Sequence, residues 1–108
     1  MLDAIRTPMG DEILAWLQRF YSSQCDGEWE RAYGISIENT SNPGWAVKID
    51  LRETALEGKP MERIDRLRTD NDWVICLIKE NVFIGSGGPL NLTEVLSIFK
   101  EWVESQRP

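Results

Sequence analysis

Apolar residues Ile13, Trp16, Leu17, Phe20 and Tyr21 fall three and four apart, which predicts an amphipathic helix from about Gly10 to Gln24. Thr7-Pro8 offers an N-cap followed by proline at the first helical position, and Gly10-Asp11 offers an alternative start. Asp26-Gly27 ends the helix, with Gly27 available for a left-handed backbone. The period then changes from helical to twofold. Tyr33, Ile35 and Ile37 alternate with Gly34, Ser36 and Glu38; Trp45, Val47, Ile49 and Leu51 alternate with Ala46, Lys48, Asp50 and Arg52. Each segment predicts a strand with one buried and one wet face. Between them Asn42-Pro43-Gly44-Trp45 has the composition of a type II turn, which would hold Gly44 at φ > 0. Such a turn does not match hairpin twist, so a loop longer than two residues is expected.

Residues 53–60 are polar, and Met61 to Arg68 has a mixed pattern that reads as a further strand. After a turn at Thr69-Asp70-Asn71-Asp72, the run Trp73-Val74-Ile75-Cys76-Leu77-Ile78 is almost continuously apolar and predicts a central strand. A short strand at Val82 to Ile84 and a glycine-rich link, Gly85 to Pro89, lead to the last helix. There Leu92, Val95, Leu96, Ile98, Phe99, Trp102 and Val103 form a wide apolar stripe, and Asn91 with Glu94 resembles a capping box. The fold class expected is α+β. An antiparallel sheet of four to five strands in hairpin order carries an N-terminal and a C-terminal helix on one face.

The 108 residues fit a single domain, 1–108, with enough apolar content (42%) to bury one core. No apolar run approaches the roughly 20 residues of a membrane span, and the N-terminus lacks the features of a signal peptide, so a cytosolic protein is expected. A net charge of −6 argues against direct nucleic-acid binding and suits a basic partner. Cys25 and Cys76 read as free thiols. Five Trp supply much of the apolar bulk: Trp16, Trp73 and Trp102 lie in segments that look like core, whereas Trp29 and Trp45 flank loops.

Candidate chemistry is sparse. Asp26, Glu28 and Glu30 would share one face of an extended segment and invite a metal-dependent hydrolase reading, although a solvated edge explains them more simply. No His is present to activate Cys25, and the glycine-rich link lacks the lysine of a phosphate-binding loop. With no catalytic constellation and no cofactor fingerprint, a binding role leads.

The blocks WLQRFYSSQCDGEWERAYGISI, NPGWAVKIDLRET and DWVICLIKENVFIGSGGPLNLTEVLSIFKEW resemble, in order, the immunity protein 53 family of bacterial polymorphic toxin systems. Arg31 stands where that family usually has His, and Asn39-Thr40-Ser41 replaces its usual residues before Asn42. The resemblance implies a cytosolic antidote that binds a cognate toxin, a basic nuclease domain being one type, without catalysis and without a cofactor. Asp26, Glu28, Trp29, Glu30 and Trp45 are the candidate partner-binding residues, an acidic cluster with two aromatic anchors. The outward sheet face at Lys48, Asp50 and Arg52 is the alternative surface.

Overall fold

The computed structural model describes residues 8–107, with side chains from residue 12 onward; Thr7, the expected N-cap, lies outside them. In chain order the elements are α1 (Pro8–Gln24), α2 (Trp29–Ala32), β1 (Ile35–Thr40), β2 (Gly44–Asp50), β3 (Ile64–Thr69), β4 (Asp72–Lys79), β5 (Val82–Gly87) and α3 (Leu92–Ser105). The five strands form one antiparallel sheet in the order β1-β2-β5-β4-β3. The α+β class and its terminal helices are as the periodicities predict.

Four details differ from the sequence reading. Residues 29–32 form a helical turn rather than an extended edge. The order also departs from successive hairpins, because β5 and not β3 lies beside β2. The reason lies in the connection between β2 and β3, which is tied to the β4–β5 turn. Asn81 in that turn accepts the Leu51 N–H on its carbonyl (2.8 Å) and the Gly58 N–H on its Oδ1 (2.8 Å). Leu56 enters the core, and the Trp102 indole N–H donates to the Pro60 carbonyl (2.9 Å), which carries the chain past α3 to the far edge. Glu80 and Asn81 both have φ > 0, as a two-residue hairpin turn of the primed kind requires.

The third difference concerns β5, which is the middle strand and runs through Gly85 and Gly87 instead of ending at Ile84. Glycine here is a packing requirement. A Cβ on Gly85 would drive into Cγ1 of Val95 on α3 and touch the Phe83 ring, and one on Gly87 would crowd Asn91 and Val95. The bare backbone lets α3 lie close over β5 and β4. Val47, Ile49, Val74, Cys76 and Phe83 then face the helices with no exposed surface.

Phe99 on α3 joins the layers. Its ring lies 4.9 Å from Phe83 of the sheet, 5.2 Å and 5.9 Å from Phe20 and Trp16 of α1, and 6.1 Å from Trp102. Both helices therefore pack on one face. The corner before β2 also differs from expectation: Asn42-Pro43 is a cis peptide and Gly44 is not among the residues at positive φ. Gly44 is needed for another reason, since a Cβ there would overlap the Gly87 carbonyl oxygen on the neighbouring strand.

Gly44→Ala and Gly85→Ala should each lower the urea midpoint at unchanged slope, by roughly 1–3 kcal/mol as overpacked sites do, because Val95 is β-branched and buried and the Gly87 carbonyl is fixed in the sheet. Equal midpoints for variant and parent would contradict the close approach. Burial pushes the Cys76 thiol up to about 12, whereas Cys25 is exposed. A thiol reagent at neutral pH should label Cys25 alone in the native protein and both residues after unfolding.

Candidate functional site

The segment from Cys25 to Gly34 is a compact capped turn. Asp26 Oδ1 accepts the N–H groups of Glu28 (2.9 Å) and Trp29 (3.0 Å), the two donors that open α2. Glu30 reaches back, its two carboxylate oxygens accepting the N–H groups of Asp26 (3.0 Å) and Gly27 (2.9 Å). Gly27 at φ +95° makes the bend between them. Charge-assisted bonds to backbone donors are strong for their kind, and they hold the Asp26 carboxyl below the usual carboxylate range, Trp29 N–H first and Glu28 N–H second. These carboxylates cap backbone rather than converge on a cation. Among the described residues no group of three His, Cys, Asp or Glu could hold a metal ion.

Trp29 is 1% exposed. Its indole N–H donates to the Asp50 carbonyl (3.2 Å), its ring lies 5.8 Å from Tyr21, and the Asp50 N–H donates to Gly34 (3.1 Å). The whole turn is thereby fastened to the end of β2. Beside it Arg52 makes a bidentate pair with Asp50 (2.9 and 2.6 Å) and stacks over Tyr33 at 4.6 Å. That pair holds the Asp50 carboxyl below its ordinary range.

Trp45 stands at the other end of β2, its indole N–H donating to the Pro89 carbonyl (3.0 Å). At about 3.3 Å per residue this is on the order of 17 Å from Asp50. The five sequence-designated residues thus divide between the two ends of one strand. Asp26 and Glu28 are exposed, Glu30 and Trp45 half-buried, and Trp29 is core. Of the alternative surface, Lys48 is exposed while Asp50 is buried and paired. Arg31 is exposed on α2.

The sheet face turned away from the helices has a different character. Alternation puts Trp73, Ile75 and Leu77 of β4 on it, with Leu67 opposite Trp73 and Ile84 opposite Leu77. None of these packs against the buried core cluster; Leu67 is 69% exposed and the other four are half-buried. An aromatic and aliphatic stripe across three strands is more than a wet sheet face needs. The sequence signal for it is the unbroken apolar run 73–78: with helices on one side only, every second residue of that run must face outward.

One edge of this stripe is stiffened from the helix side. Asn91 does not cap α3 with its side chain as the Asn91/Glu94 pattern suggests. Its Oδ1 accepts the Trp73 N–H (3.2 Å) and its Nδ2 donates to Asp72 (3.0 Å) and Glu94 (3.1 Å). Arg68 bridges Asp72 and Glu94, Arg66 adds a second contact to Glu94, and these bonds hold both carboxyls below their usual range. The start of β4 is locked to the first turn of α3.

The sheet therefore carries a helical layer on one side and an open apolar stripe on the other. The family model for immunity protein 53 matches residues 14–104, and the chain belongs to that family. Comparison with curated proteins and with solved structures found no match. Among the described residues no helix is long and apolar enough to cross a membrane.

Trp29→Ala should cost about 3–5 kcal/mol, as truncation of a buried Trp does, measured by chemical denaturation. For Asp26 the sign follows from its lowered folded-state value. Its bonds stabilise the fold above the ordinary carboxylate range and lose that effect as pH falls through the lowered value. Asp26→Asn keeps an Oδ1 acceptor but no titration, so its melting temperature should lie below that of the parent at neutral pH and converge with it toward about pH 3.

Proposed function

We propose that residues 1–108 form one immunity domain that binds and neutralises a cognate protein toxin in the cytoplasm by occlusion, without catalysis or cofactor. The family match over residues 14–104 carries this reading, since it names an immunity protein. The sheet face at Leu67, Trp73, Ile75, Leu77 and Ile84 supports it, because interface centres favour aromatic and apolar groups inside a polar rim. The toxin contacts this face. Asp26 and Glu28, exposed on a chain of net charge −6, steer a basic toxin domain toward the protein; Trp29, Glu30 and Trp45 position the loops.

The test is association kinetics with the cognate toxin domain. Leu67→Ser removes an exposed apolar side chain and should leave the melting temperature nearly unchanged while raising the dissociation rate about tenfold. Glu28→Gln, which touches no backbone donor among the described residues, should slow association at low salt and leave dissociation alone. A toxin that binds Leu67→Ser with parental lifetime does not use the sheet face. A toxin recovered with altered covalent mass would point to an enzyme.

A further inference from the structure

A second surface lies on the helical side, far from the open sheet face. Between the C-terminal half of α1, the connection after β2 and the end of α3 there is an open groove of about 600 Å³, within the size range of ligand sites. Its apolar wall is Trp16, Phe20, Leu56 and Val103. The last three are core residues showing only an edge, and Trp16 is half-buried.

The charges around this groove run against the rest of the chain. The protein has 12 basic and 18 acidic residues, yet among the described residues the groove is lined by Arg19, Lys59 and Arg107 with Glu104 as the one carboxylate. Each of the three cations comes from a different segment, and among the described residues none is in an ion pair. Trp29, Trp45 and Trp102 give their indole N–H to backbone carbonyls, whereas the Trp16 indole, like that of Trp73 on the opposite face of the sheet, has no acceptor among the described residues. An apolar wall with an available N–H and a cationic rim is complementary to a ligand that joins a hydrophobic side chain to carboxylates.

We infer that this groove docks an acidic peptide segment of a partner protein, anchored by an aromatic or branched aliphatic side chain against Trp16, Phe20 and Leu56, with its carboxylates on Arg19, Lys59 and Arg107. The site is separate from the toxin-binding face, and its occupancy does not depend on whether that face binds the toxin. Basic segments are excluded by the same charges that admit acidic ones.

The experiment is an NMR titration of the whole protein with the blocked hexapeptide Glu-Asp-Phe-Glu-Leu-Asp, with its counterpart carrying Lys at every acidic position, and with phenylacetate. The acidic peptide should shift the Trp16 indole resonance and the methyls of Leu56 and Val103 at submillimolar concentration, and the Lys peptide should not. Arg19→Gln combined with Lys59→Gln should weaken the acidic peptide about tenfold, the worth of two exposed ion pairs together. An unchanged amide fingerprint for that variant verifies its fold. The proposal is overturned if the acidic peptide leaves these resonances unmoved at millimolar concentration, or if the Lys peptide binds equally. It is overturned too if the double variant binds unchanged, or if phenylacetate alone binds, which would make the groove a small-molecule pocket.

Discussion

The approach of α3 to the bare backbone of β5 sets the geometry of everything else. A helix packed over a strand with ordinary side chains would stand farther off, and Phe99 would not reach Phe83 at 4.9 Å while also touching α1. Gly85 and Gly87 weaken β5 as an isolated strand, since glycine adds backbone entropy and no packing. The position of β5 between β2 and β4, bonded along both sides, offsets that weakness. The middle of the sheet is where such a strand is tolerated, and that requires β3 to be displaced to the edge.

Displacing β3 leaves a long connection to be held in place, and polar groups hold it. Asn81 uses both its backbone and its side-chain oxygen, Thr54 links Leu51 to Leu56 through its hydroxyl, and Trp102 anchors Pro60. The same economy recurs in the turn before β1, where Asp26 and Glu30 satisfy four backbone donors and the Trp29 indole meets a strand carbonyl. Backbone groups left unpaired in such segments would each carry a desolvation penalty.

Much of the architecture was legible as period. Helical spacing in α1 and α3 and alternation in β2 are local signals, and the elements follow them. What period does not carry is order: nothing local in Val82 to Gly87 says that it pairs with β2, and glycines in a strand read as a link when the helix that needs them is distant in sequence. The acidic cluster illustrates the same limit. Asp26, Glu28 and Glu30 look alike as letters, but two of them cap backbone and one faces solvent, a distinction made by the bend at Gly27. The apolar run around Trp73 predicts a core residue, and only the one-sided helical layer shows that it faces outward. The hydrophobic stripe beside it was written in the sequence as a run with no polar alternation.

The capped turn at Cys25 to Gly34 has a consequence for how this fold can change over time. The residues that carry the family resemblance there, Asp26, Gly27, Trp29 and Glu30, are occupied with one another and with β2, and Trp29 and Gly34 are out of reach of any visitor. Leu67, Ile75 and Ile84, across the sheet, take no part in that scaffold. Substitution on one side therefore leaves the other largely untouched, since distant sites with no shared partners contribute nearly additively. A lineage built this way can vary a handful of outward side chains while its fold-defining letters stand still.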